Sequence, residues 1–141
     1  MARVRLDHVV VWTKDPRAAV DFYSRVVGLT PVRLTEFEAG EAPFPSVRVC
    51  ADSIIDLVPL GMAAGSATTA RVAEGGAGNR LNHLCLALTK PEYDALDQRL
   101  RAAGVDTGAR LSQSFGARGR SPQAFYFRDP DGNVIEARYY E

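Results

Sequence analysis

Phe125-Tyr126-Phe127-Arg128-Asp129-Pro130-Asp131-Gly132-Asn133-Val134-Ile135-Glu136 is two strand-like runs joined by a turn. Aromatic and β-branched residues favour extended backbone on either side, and Asp-Pro-Asp-Gly-Asn between them is a strong turn signal. Strands are therefore expected over 123–128 and 133–140. Upstream, 105–111 reads as a further strand and 112–121 as a polar, Gly-bearing loop. Thr89-Lys90-Pro91-Glu92 is a helix start, with Thr89 as cap and Glu92 completing a capping box. Tyr93, Leu96, Leu100 and Ala103 form that helix's apolar face, and Gly104 closes it. A strand over 81–88 precedes it. The second half thus runs strand, helix, strand, strand, strand.

The first half has the same plan. A Val-rich strand over 4–12 leads to Asp15-Pro16, an N-cap followed by Pro at the first helical position. Ala19, Phe22, Tyr23, Val26 and Val27 mark one helical face, and Gly28 ends it. Strands are expected over 30–37, 46–51 and 54–60. Residues 61–80 are dominated by Gly, Ala, Ser and Thr without periodicity, which reads as a linker. The organisation expected is α+β: one module over 1–60, a linker over 61–80, and a second module over 81–141, together making one domain.

Composition narrows the function classes. With 46% hydrophobic and 24% charged residues among 141, the chain is globular in character. Lys plus Arg and Asp plus Glu number 17 each. That balance argues against nucleic acid or another polyanion as partner. No apolar run approaches the roughly 20 residues of a bilayer span, so no membrane partner is expected. Residues 1–5 lead straight into strand-like sequence, without the apolar region of a secretory signal, and a cytoplasmic location is expected. Cys50 and Cys85 lack metal-finger spacing and are expected as buried thiols in strands.

The only two histidines, His8 and His83, occupy matching first strands, after Asp7 and Asn82. Each half also sets one carboxylate in its last strand between apolar neighbours: Ile55-Asp56-Leu57 and Ile135-Glu136-Ala137. Such an acid is tolerated if it pairs, faces solvent or binds a metal. Two imidazoles and two carboxylates suit Ni²⁺, Zn²⁺, Mn²⁺, Fe²⁺ or Co²⁺. Strand alternation puts Val10 and Trp12 on the His8 face, Cys85 on the His83 face and Arg138 on the Glu136 face. These are pocket candidates, with core packing as the other reading of Trp12 and a rim charge that of Arg138. Arg118 and Arg120, beside Phe115 in a Gly-bearing segment, suit either an anion-binding lid or a solvated loop.

At these residues the chain resembles the vicinal oxygen chelate superfamily, which includes glyoxalase I, extradiol dioxygenases and the fosfomycin and bleomycin resistance proteins. Leu6-Asp7-His8-Val9-Val10-Val11, Ala19-Val20-Asp21-Phe22-Tyr23, Asn82-His83-Leu84-Cys85-Leu86 and the 125–136 run carry the resemblance. It implies paired βαβββ modules whose curved mixed sheets enclose a metal cleft. It implies His8, Asp56, His83 and Glu136 as ligands of one divalent metal. Relatives usually have Glu or Gln where this chain has Asp56, which is one methylene shorter and so binds less closely, binds through water, or leaves a three-ligand site of His8, His83 and Glu136. Glu136, with Asp56 as rival, is the implied proton-transfer base for a small substrate bound through vicinal oxygens. The implied activity is a metal-dependent lyase or isomerase, or a dioxygenase. The alternatives are a small-molecule sequestering protein of the bleomycin-resistance type and a thiol transferase of the fosfomycin-resistance type. A homodimer is expected, because open curved sheets have edges to cover.

Overall fold

The structure is a computed structural model that describes residues 6–61, 81 and 83–141. The chain divides into two compact units, Met1–Asn79 and Arg80–Glu141. The expected linker lies, except for Gly61, outside the described residues, as do Val4, Arg5 and Asn82.

In the first unit, β1 (His8–Thr13) leads to α1 (Pro16–Asp21). Asp15 caps α1, its Oδ1 accepting from the backbone N–H groups of Arg17 and Ala18 at 3.1 Å each. A π-helical segment, Phe22–Val27, continues the helix. Gly28 stops it in the left-handed region, φ 95°, which costs glycine no Cβ clash. Next come β2 (Thr30–Val32), α2 (Leu34–Glu38), β3 (Ser46–Cys50) and β4 (Ser53–Pro59). The sheet order is β1-β4-β3-β2, with β1 parallel to β4 and the other pairs antiparallel. Val11, Ile55 and Leu57 are buried beside Ala19, Val20, Tyr23 and Val27 as the core.

In the second unit, β5 (Leu84–Leu88) leads to α3 (Lys90–Ala102). The Thr89–Glu92 capping box is formed in both directions. Then follow β6 (Ser114–Gly116), β7 (Gly119–Ser121), β8 (Ala124–Arg128) and β9 (Val134–Tyr139). β5 runs parallel to β9, which is antiparallel to β8; β6 and β7 form a separate two-stranded ribbon. α3 buries Tyr93, Leu96 and Leu100. The Tyr93 ring centroid lies 4.9 Å from that of Phe125 and 4.8 Å from that of Tyr139.

Three local expectations are corrected. The strand expected over 30–37 stops at Val32, because Arg33 adopts a left-handed φ of 60° and starts α2. The strand expected over 105–111 reduces to a bridge between Leu111 and Ala124. Asp106 turns back onto the Gly108 N–H at 2.9 Å, and Gly108 takes φ 57°, which breaks extension. The loop expected over 112–121 contains the β6–β7 ribbon. Among the described residues, no helix is long and apolar enough to cross a membrane.

Candidate functional site

Each unit brings one imidazole to one carboxylate, and the sheet register explains how. In the first, Val10 stands opposite Asp56 across the parallel β1–β4 pair. Residues in register share a face, so His8, Val10, Trp12 and Asp56 lie on one side of the sheet. In the second, Cys85 stands opposite Glu136 across β5–β9, and His83 sits just before β5. Val10 and Cys85 each follow their histidine by two residues, so the two registers correspond.

The hydrogen bonding corresponds too. His8 Nε2 lies 3.9 Å from Asp56 Oδ2, while Asp56 Oδ1 accepts from the Ser46 hydroxyl at 2.6 Å. His83 Nε2 lies 3.2 Å from Glu136 Oε1, while Glu136 Oε2 accepts from Arg138 Nε at 3.1 Å and Nη2 at 2.5 Å. In each pair one carboxylate oxygen is held by the protein and the other faces the imidazole. Both acids are buried, with Asp56 at 8% and Glu136 at 2% exposure.

Second partners orient the rings. His8 Nδ1 contacts Asp7 Oδ2 at 2.8 Å. A carboxylate can only accept, so Nδ1 carries the proton and Nε2 of the neutral ring keeps its lone pair on the Asp56 side. The hydrogen bond to Asp7, followed by the charge of Asp56, raises the His8 pKa above 6.5. The Tyr126 ring meets His83 edge-on, with centroids 5.2 Å apart. Tyr126 is also the cross-strand neighbour of Glu136. Its pKa is raised by desolvation and then by the Glu136 charge.

Of the pocket candidates, Val10 is exposed and Trp12 half-buried on the His8 face. Arg138 is buried against Glu136. Arg118 and Arg120 are exposed on the ribbon. Arg118 stacks over Tyr140 with Cζ 4.9 Å from the ring centroid, and Arg120 donates to the Gln113 carbonyl at 2.7 Å. Cys50 and Cys85 are both exposed, which corrects the expectation of buried thiols. The Cys85 sulfur is nevertheless desolvated enough against the sheet to raise its pKa, with the Glu136 charge adding to the effect.

Ser46 and Tyr126 are the site neighbours that sequence reasoning missed. Tyr126 was within reach: once Asp129–Asn133 is taken as the hairpin turn, register sets it across from Glu136. Ser46 carried no such signal, because its pairing with Asp56 depends on the irregular β3–β4 connection.

Among the described residues, no group of three or more His, Cys, Asp or Glu is placed to hold a metal ion. The expected ligands stand as two pairs, one in each unit. Each pair fits a divalent ion chemically: an imidazole nitrogen and a carboxylate oxygen with its lone pairs facing that nitrogen. Two ligands of one ion at about 2.1 Å are roughly 3 Å apart. The second pair, at 3.2 Å, is near this separation, and the first, at 3.9 Å, is wider.

A family model described as the Glyoxalase/Bleomycin resistance protein/Dioxygenase superfamily matches residues 5–137. The chain belongs to that superfamily. Solved structures agree in fold. A virulence protein from Salmonella typhimurium is 22% identical, with both chains covered over 100% and a TM-score of 0.71. An integron cassette protein from V. cholerae is 27% identical, covering 100% of this chain and 98% of its own, with a TM-score of 0.66. A lactoylglutathione lyase from Agrobacterium tumefaciens is 19% identical, covering 99% and 95%, also with a TM-score of 0.66. No curated protein matches. The fold is thus the glyoxalase-like α+β class, with curved mixed sheets.

Proposed function

We propose that this superfamily member is a divalent-metal-dependent enzyme of lyase or isomerase type, with His8, Asp56, His83 and Glu136 as ligands. One observation carries the proposal: in both units a buried carboxylate keeps one oxygen anchored and turns the other toward an imidazole Nε2. Purely structural acids need no such repetition. The ion is one of Ni, Zn, Mn, Fe or Co. The reading holds whether the two pairs share an ion within one chain or across two copies. A lactoylglutathione lyase and an oxidase among the structural neighbours make lyase or oxygen chemistry the classes to assay first.

When bound, such an ion polarises vicinal oxygens of a small substrate and stabilises negative charge developing there. The chain's own groups supply the rest. Asp7 fixes the His8 tautomer, Ser46 fixes Asp56, and Glu136, its Oε2 held by Arg138, is the carboxylate that would take a proton from a carbon beside the substrate carbonyl. Val10 and Trp12 offer apolar surface beside His8.

Elemental analysis and calorimetric titration of metal-free protein should give about one equivalent per chain, the count for a single site. His8→Ala/His83→Ala should abolish it, and full retention would overturn the assignment. The second reading is sequestration of a small molecule without chemistry. It is favoured by the Arg138 guanidinium, which already neutralises Glu136. Tight ligand binding by metal-free wild type, with no turnover, would select it. Self-association as a homodimer belongs to either reading; a concentration-independent 15.3 kDa species in sedimentation would exclude it.

A further inference from the structure

β4 and β9 are corresponding strands, but they diverge two residues past the acid. β4 has Val58 there and β9 has Arg138, each 4% exposed. A guanidinium buried where the corresponding strand holds a valine needs its charge and its N–H groups met. Glu136 Oε2 meets the charge with two hydrogen bonds. Ser114 on β6 meets the other edge: its carbonyl accepts from Nη1 at 3.2 Å and its hydroxyl oxygen from Nη2 at 3.1 Å. The Tyr140 hydroxyl lies 3.5 Å from Nη1.

The ribbon sequence fits this contact. Ser114 pairs with Ser121, and Gly116 with Gly119, so small residues line the face turned to Arg138. A Cβ on Gly116 would collide with Arg138 Nη1 and lie 2.5 Å from the Tyr140 hydroxyl. No residue larger than glycine fits unless the guanidinium and the Tyr140 hydroxyl both move. Phe115 and Arg120 pair on the opposite face, where Phe115 is 76% exposed.

We propose that Arg138 is a positioning residue which occupies Glu136 Oε2, leaving Oε1 as the acid's only available donor, and that the β6–β7 ribbon holds Arg138 in place. Acid, guanidinium and ribbon then form one mechanical unit. The donor role of Oε1 rests on the metal reading above; the coupling of ribbon to acid does not.

The test uses the full chain, with Arg138→Met, Arg138→Lys and Gly116→Ala, and reads two quantities. The first is amide hydrogen exchange in metal-free protein. Over 114–121 it should be at least about tenfold faster in Arg138→Met and Gly116→Ala, with α3 unchanged. The second is Co²⁺ affinity. Arg138→Met should bind Co²⁺ about tenfold or more tightly, because a neighbouring positive charge is gone and a second oxygen is released. Arg138→Lys should stay near wild type. Wild-type exchange of the ribbon in folded Arg138→Met and Gly116→Ala would overturn the proposal, and so would unchanged or weaker Co²⁺ binding in folded Arg138→Met. Should Arg138→Met fail to fold, Gly116→Ala, which keeps both charges, decides through ribbon exchange. Wild type that takes up no Co²⁺ overturns the metal reading instead, and the coupling is then judged by exchange alone.

Discussion

Asp7 Oδ2 stands 2.8 Å from His8 Nδ1, so the residue just before the imidazole fixes which of its nitrogens carries the proton. The contact also favours the imidazolium, chiefly through that hydrogen bond and then through Asp56. In metal-free protein the His8 ring resonances should therefore titrate above 6.5. Folded protein holds this proton more tightly than unfolded chain. The linked stability is fully present below the unfolded pKa and is lost as pH rises through the folded one. Both side chains are exposed, so solvent screening keeps the contribution small. Asp7→Asn should bring the midpoint back toward the ordinary histidine value, as read by NMR. It should also weaken metal binding by about 10–100-fold, the usual effect of losing a ligand's orienting carboxylate. An unmoved midpoint in Asp7→Asn would show that Asp56 alone sets the titration.

The turn that made the sequence legible is held by Asp129. Its Oδ1 accepts from the N–H groups of Asp131 at 2.9 Å and Asn133 at 2.8 Å, and its Oδ2 from Asn133 Nδ2 at 2.8 Å. The residue is 5% exposed, so Asp129→Ala leaves donors in a partly dry turn. A loss of about 2–3 kcal/mol in denaturant unfolding is expected, the scale of unmet hydrogen bonds to a charged group. No proposed ligand sits in the turn, so metal stoichiometry should stay at the wild-type value in the folded variant.

Much of the plan was legible because periodicity and caps agree with the tertiary answer. The Thr89–Glu92 box, the closing glycines and the Asp129–Asn133 turn are local devices, and the structure forms each of them. The failures share a cause: local pattern was outweighed by one backbone conformation or by a distant partner. Thr30 to Phe37 reads as a strand-like run, yet Arg33 turns left-handed, and Leu34 and Phe37 become the half-buried side of a short helix. Ser114 to Ser121 looks like a loop because the ribbon face against Arg138 must be Ser and Gly. Those residues carry no strand propensity and are explained only by a side chain far along the chain. At the candidate site, the repeat of His and acid pointed to the pairs, but the anchoring of each acid's second oxygen required the register.

Phe125 is fully buried, lying 4.9 Å from Tyr93 and 6.2 Å from Phe127 between ring centroids. Phe125→Ala should cost about 3–5 kcal/mol, combining lost transfer energy with an unfilled cavity. That is a large part of a typical domain's stability. The chain divides into two compact units, so the loss should appear first as faster hydrogen exchange across α3 and β8. Uniform acceleration over both units would instead show that they unfold as one.

Glu136→Gln separates the acid's proposed roles. Its side chain faces His83 through Oε1 and Arg138 through Oε2. A glutamine keeps the shape and one carbonyl oxygen, but as a neutral amide it cannot take up a proton. It also leaves the buried Arg138 without its countercharge. Breaking such a pair typically costs about 3–5 kcal/mol, so folding must be checked first by circular dichroism and thermal melting. In folded, metal-loaded Glu136→Gln, turnover on any substrate found by panel should fall by about 10²–10⁴, the usual effect of losing a general base. KM should change little, because no substrate contact of Glu136 besides proton transfer is proposed. Wild-type turnover in that variant would remove Glu136 as base and move the role to Asp56, whose Oδ2 faces His8 in the same way. A fall in KM and kcat together would instead mark the acid as a group that strains the substrate before reaction.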